Sequence, residues 1–283
     1  IKMKIPRYVS EDFLKLCLKE DIGRGDITTE LIYNKKGKGT GIIAAKEPMI
    51  VCGTELIPAI YGLIDESLQF EIMATDGTMI KKGDIIAIVS GSPASILTGE
   101  RTVLNFLQRL SGVASLTAEF VKSIAEGSAT KITDTRKTTP GWRTLEKYAV
   151  KTGGGANHRF GLDDGIMIKD NHIAAAGSIS KAVKKVRAGA HHLLKIEVEV
   201  TNIDEVKEAV ECGADVIMLD NMPKEIMSKM IAFIGKKAVT EISGGVILEN
   251  ISELSKLGAD YISVGALTHS AVAKDINLAI KKK

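Results

Sequence analysis

The chain has 283 residues, 45% hydrophobic and 26% charged. That balance excludes a disordered polyelectrolyte and, at about 150 residues per domain, suits one large domain or two moderate ones. Thirty-eight Lys and Arg against 35 Asp and Glu leave a net charge of only +3, so no nucleic-acid partner is expected and any cationic site must be concentrated locally. The three cysteines, Cys17, Cys52 and Cys212, form no CxxC pair. A zinc site or disulfide framework is therefore not expected, and a reduced, cytoplasmic setting is. No apolar run approaches the ~20 residues of a bilayer span, so no membrane partner is expected. Ile1 to Lys4 do not read as a signal sequence, because Glu11 and Asp12 arrive before any long apolar stretch.

Residues 11–20 carry Phe13, Leu14, Cys17 and Leu18 at helical spacing behind Ser10, a natural N-cap. After the turn-rich stretch 21–26, runs such as 41–45 and 84–89 read as strands, separated by turns at Asp76-Gly77 and 82–84. The segment 76–89 locally resembles the half-barrel repeat of lipoyl and biotinyl carrier domains. A carrier needs a modifiable Lys at a hairpin tip, and Lys46 lacks convincing flanks. Residues 99–110 read as a helix, with Val103, Leu104, Leu107 and Leu110 on one stripe.

From there a pattern repeats. The apolar runs 131–134, 165–170, 194–199, 214–220, 238–243 and 260–265 alternate with amphipathic stretches. The last four start roughly 20 to 25 residues apart, the period of a βα unit. An α/β barrel is expected over a doubly wound sheet, because no GxGxxG follows a first strand. Barrel chemistry sits at the C-terminal ends of strands, and those ends carry Asp134, Lys169, Glu199, Asp220, Ser243 and Gly265.

Thr135, Arg136 and Lys137 follow the first of these strands, His158 and Arg159 follow three consecutive glycines, and Lys169 leaves the next strand. Singly, each reads equally well as a solvated loop, a flexible linker or a snorkelling side chain. Together, in a nearly neutral chain, they predict a pocket for a polyanion bearing carboxylates, phosphates or both. Glu197 and Glu199 share one strand face, with Glu199 nearer the mouth. Glu199 and Asp220 suit a hydrated Mg²⁺ or a ribose diol, or else structural ion pairs to Lys169 or Lys195. The glycine turns Ser243-Gly244-Gly245 and Val264-Gly265-Ala266 suit a phosphate bound by backbone N–H groups. His172 and His269 lie on the same side, and His191 and His192 read as surface.

These motifs, with the stretches 20–29, 99–101, 108–112 and 218–222, resemble the quinolinate phosphoribosyltransferase family over nearly the whole chain. The resemblance implies an N-terminal α/β-sandwich domain over 1–112, joined by the tail 270–283, and an incomplete seven-stranded α/β barrel over 113–269. It implies transfer of phosphoribosyl from phosphoribosyl pyrophosphate (PRPP) to quinolinate with Mg²⁺, giving nicotinate mononucleotide, pyrophosphate and CO₂ in NAD biosynthesis. Arg136, His158, Arg159 and Lys169 would hold the quinolinate carboxylates, with Arg101 supplied by the neighbouring subunit of a homodimer that could assemble further into a hexamer. Lys137 would lie between the substrates. Glu199 and Asp220 would hold the ribose and its metal. Ser243, Gly244, Gly245, Val264, Gly265 and Ala266 would form the 5′-phosphate loops. A related transferase of the molybdenum-transport type, or a sensor that binds without turnover, is the alternative.

Overall fold

The computed structural model describes residues 7–33 and 37–281; the N-terminal residues read above as no signal sequence lie outside them. The chain divides into two compact units. The first takes its described residues from Ile1–Ala118, Thr139–Gly154 and Ser270–Lys283. Its strands are β1 (Gly39–Ala45), β2 (Met49–Ile50), β3 (Gln69–Ile72), β4 (Met79–Ile80) and β5 (Ile85–Gly91), completed by the C-terminal strand Ile276–Lys281. In the antiparallel sheet the C-terminal strand pairs with β1, β1 with β5, and β5 with β3. Burial alternates residue by residue along β1, as a sheet with one covered face requires.

Ser10 caps the helix Glu11–Ile22, accepting from the Phe13 N–H at 3.3 Å. The helix expected over 99–110 runs much further, from Pro93 to Lys122. Its interior Ser111 and Gly112 do not break it, because each has a tertiary use. Ser111 Oγ accepts from the Cys52 N–H at 3.1 Å. A Cβ at Gly112 would meet the Val272 backbone, 3.0 Å from its carbonyl carbon. Close backbone approach, rather than helix termination, explains that glycine. Asp76 is a second organiser, accepting from Gly53 N, Thr54 N and Oγ1, and the Tyr148 hydroxyl at 2.7–2.9 Å.

The second unit covers Glu119–Thr138 and Gly155–His269. It contains β6 (Lys131–Thr133), β7 (Ile166–Ile168), β8 (Ile196–Val200), β9 (Val216–Asp220), β10 (Val239–Ser243) and β11 (Tyr261–Ser263); the C-terminal strand is therefore β12. The six form a parallel sheet in the order β6-β11-β10-β9-β8-β7. A seventh segment pairs with β6 through a single parallel bridge, Thr133 to Ala156. The expected incomplete barrel is thus an open one.

Register divides the strands into two faces. Val198, Val200, Ile217, Leu219, Ile242 and Ile262 are fully buried, under helices such as Ile179–Gly189 and Ile203–Glu211. Glu199, Met218, Glu241 and Tyr261 are successive cross-strand partners on the other face, as are Ser243 and Asp220. Parallel strands buried on both sides cannot alternate apolar with solvated polar residues. Here the inner face is polar because it is the lumen.

Among the described residues, no helix is long and apolar enough to cross a membrane. In the first unit, Glu146 is fully buried and accepts from Arg109 Nη2 at 2.8 Å and from the Thr139 N–H and hydroxyl at 3.0 and 2.9 Å. Arg109 also donates to the Ala271 carbonyl at 2.7 Å, so one ion pair ties the long helix to both returning segments. Glu146→Ala is expected to cost about 3 kcal/mol, lowering the midpoint of thermal unfolding by roughly 5 °C or more; an unchanged midpoint in calorimetry would contradict that role.

Candidate active site

The second unit gathers its chemistry at the strand ends and inside the lumen. Asp134, directly after β6, is wholly buried. Its carboxylate accepts from the His158 N–H at 2.8 Å and from Asn157 Nδ2 at 2.7 Å. This acid is therefore a bracket: it fixes the backbone from which His158 and Arg159 project.

His158 reaches into the lumen, where its Nε2 lies 3.0 Å from Glu197 Oε2 and 3.9 Å from Glu241 Oε1. Both carboxylates are buried, and the Oε1 atom of each lacks a hydrogen-bond partner. The three side chains bring ligating atoms within 4.8 Å of one another. That mixed imidazole–carboxylate set differs from the all-oxygen environment Mg²⁺ prefers. They line a cavity of about 350 Å³ with Thr133, Arg159, Lys195 and the strand-opening residues Val216, Val239 and Tyr261.

Arg159 is half-buried and donates from Nη1 to the Gly165 carbonyl at 2.8 Å. Burial, and next the charge of Arg136, pull its guanidinium below the ordinary arginine range, with Glu197 acting in the opposite sense. Arg136 and Arg159 therefore share one field, and their repulsion is relieved by an anion between them.

Lys169 closes β7 and pairs its Nζ with Glu199 Oε2, while its N–H donates to His172 Nδ1 at 3.0 Å. Lys137 is exposed; its N–H donates to Thr135 Oγ1 at 3.0 Å and its carbonyl accepts from Thr268 Oγ1 at 2.8 Å. A Cβ at Gly265 would lie 3.0 Å from Lys137 Cδ and 3.1 Å from His269 Nε2. That glycine thus admits both side chains to the turn after β11. Val264 spends its N–H on the Thr133 carbonyl at 2.9 Å, so it is not a free donor on this turn. Asp220 ends β9 beside Ser243, and Gly244 and Gly245 have φ of 86° and 60°. Arg101 belongs to the first unit, exposed on its long helix.

Two residues of this constellation were not singled out in the sequence. Glu241 lies two residues before Ser243, the spacing that joins Glu197 to Glu199, and strand alternation alone places it in the lumen. Asn221 follows the strand-end acid, and its importance lies in a backbone angle that no spacing reveals.

Burial, then the charge of Glu197, push the Glu241 carboxyl up to about 7, with His158 pulling it down. The folded state holds this proton more tightly than the unfolded chain does. Ionising Glu241 therefore opposes folding, and stability contributed by the protonated group is lost as pH rises from 4.5 through about 7. Glu241→Gln is expected to match the wild type in thermal unfolding near about pH 5 and to exceed it near about pH 8. A difference that does not change with pH would contradict the assignment.

Comparison with known proteins agrees with this architecture. Residues 26–111 match the family profile of the quinolinate phosphoribosyl transferase N-terminal domain, and residues 113–279 that of its C-terminal domain. A Bacillus subtilis (strain 168) protein named probable nicotinate-nucleotide pyrophosphorylase (carboxylating) is 47% identical over 92% of this chain and 90% of its own length. The crystal structure of NadC from Streptococcus pyogenes superimposes with a TM-score of 0.92 at 41% identity, covering 96% of this chain and 98% of that one. Nicotinate-nucleotide pyrophosphorylase from Ehrlichia chaffeensis gives 0.92 at 38% identity, covering 99% and 100%. The paired domains, the open parallel barrel and these near full-length likenesses place the chain in the quinolinate phosphoribosyl transferase family.

Proposed function

We propose that this chain transfers phosphoribosyl from PRPP to quinolinate with decarboxylation, releasing nicotinate mononucleotide, pyrophosphate and CO₂ for NAD biosynthesis. The observation that carries this reading is the electropositive pair Arg136 and Arg159 beside His158, concentrated in one unit of a chain whose net charge is +3. A dianion relieves their repulsion, and two carboxylates on adjacent ring carbons present the planar acceptors that guanidinium forks match. Lys169 adds a cation by exchanging its Glu199 partner for substrate. Arg101, exposed on the first unit, is assigned to the site of a partner subunit in a cytoplasmic homodimer.

Glycosyl transfer forms a bond from the pyridine nitrogen to the anomeric carbon as the bond to pyrophosphate breaks. Positive charge grows on the ribose, and Glu199 and Asp220 stabilise it. Lys137, exposed between the turn at Gly265 and the arginines, is assigned to the developing pyrophosphate charge. The turns at Ser243, Gly244 and Gly245 and at Gly265 and Ala266 would receive the 5′-phosphate.

Glu199 and Asp220, two carboxylates on neighbouring strands with no nitrogen or sulfur donor, fit a hydrated Mg²⁺ shared with the substrate's phosphates. Bound there, Mg²⁺ would neutralise charge on the departing pyrophosphate. Decarboxylation needs no side-chain nucleophile. The electrons of the breaking C–CO₂ bond pass to the cationic pyridinium, and the ring carbon then takes a proton. The protein's work is to gather two mutually repelling anions and hold them in line.

With Mg²⁺ and PRPP, purified protein is expected to release CO₂ and nicotinate mononucleotide in equal amounts from carboxyl-labelled quinolinate, and nothing from nicotinate. Arg136→Ala and Lys169→Ala should each lower kcat/KM for quinolinate by about 10- to 100-fold. Turnover of nicotinate, or unchanged kcat/KM in both variants, would overturn the assignment.

A further inference from the structure

Among the described residues, Asn221 is the one non-glycine residue with a positive φ, 52°. An L residue is strained there, asparagine least of all, and such strain persists only where surrounding contacts fix it. The contacts here are specific. The Asn221 N–H donates to the Ser243 carbonyl at 3.0 Å, and its Nδ2 donates to Asp220 Oδ2 at 3.0 Å. Its amide also occupies the space over Gly244. A Cβ built at Gly244 would lie 2.7 Å from Asn221 Nδ2 and nearer still to Oδ1 and Cγ. Gly244 is therefore needed to seat Asn221, in addition to its own φ of 86°.

Three facts join into one device. Asn221 engages one oxygen of Asp220 and so decides which oxygen is presented to a ligand. Its backbone N–H anchors to the carbonyl of Ser243 at the end of β10, and its amide lies over Gly244 in the turn that follows. Asp220 and that turn therefore move together, across the ends of two adjacent strands. We infer that Asn221 is a positioning residue that locks the Asp220 carboxylate to the turn carrying Ser243, Gly244 and Gly245. The ribose and 5′-phosphate of PRPP are then received by one rigid unit. The inference rests on the reading that Asp220 meets the ribose.

A double-mutant cycle tests it. Asn221→Gly keeps the left-handed backbone accessible but removes the amide, and Gly244→Ala inserts the clashing Cβ. Asn221→Gly is expected to raise KM for PRPP about tenfold while moving KM for quinolinate less than about twofold. Calorimetry should show the same weakening of PRPP binding. Gly244→Ala is expected to lower kcat/KM for PRPP about 100-fold in the wild type, but by no more than about threefold in the Asn221→Gly background, because the atom it strikes is gone. Strain of an alanine at φ 86° is common to both backgrounds and cancels in the cycle. Equal losses in the two backgrounds, or an unchanged KM for PRPP in Asn221→Gly, overturn the inference. Should Gly244→Ala fail to fold, the KM comparison in Asn221→Gly decides alone. Asp220→Asn separates the two levels: if it spares PRPP use, the ribose reading fails and this inference with it. If Asp220→Asn abolishes PRPP use while Asn221→Gly changes nothing, only the inference fails.

Discussion

Two guanidiniums held in a common field, with one of them half withdrawn from water, are the constraint around which the second unit's charges are arranged. Arg159 is pulled below its ordinary range by burial and by Arg136, a combination that folding alone does not reward. The neighbouring residues manage that charge. Asp134 spends both carboxylate oxygens on the backbone and side chain of the segment carrying His158. Glu197 offsets Arg159 and holds His158 from below. Burial and the charge of Glu197 raise the Glu241 carboxyl to about 7, so its negative charge is only partly developed near neutral pH. What remains is an electropositive opening with a compensated floor, the field a dianion meets most favourably.

The open barrel makes this possible through register. Paired residues on parallel strands point the same way, so Glu197, Glu199, Glu241, Asp220 and Ser243 all fall on the inner face, while Val198, Val200, Ile217, Leu219 and Ile242 fall on the outer. The outer face supplies the burial that stabilises the unit, leaving the inner face available for charge. Glycine turns then close the strand ends. Gly265 gives room to Lys137 and His269, and Gly244 gives room to Asn221. At these two positions the missing side chain is explained by a protein neighbour, before any phosphate is considered.

Much of this was legible in the sequence. Five of the six strands lie within the expected apolar runs and β8 overruns its run by one residue, Val200; Lys169, Glu199, Asp220 and Ser243 fall at or next to the C-terminal strand ends. The helix expected over 99–110 extends at both ends, and at its C-terminal side the positions of Cys52 and Val272 show why Ser111 and Gly112 stay helical. Glu241 was hidden for a different reason. Strand alternation puts Glu241 on the lumen face, but its partners Glu197 and His158 lie on other elements, so the cluster they form has no local signature. Asn221 could not be read at all, since a backbone angle imposed by tertiary contacts leaves no periodicity. The Lys169–Glu199 ion pair is the alternative that the sequence leaves open beside a metal or ribose role for Glu199.

The central claim is that the pocket is built for two negative charges on one small ring. Isothermal titration of the protein with quinolinate and with nicotinate, each without PRPP, tests it most directly. Quinolinate should bind at least about tenfold more tightly, with the advantage shrinking as salt rises. Equal affinity for the two acids would contradict the claim, because it would mean that the second carboxylate meets no cation.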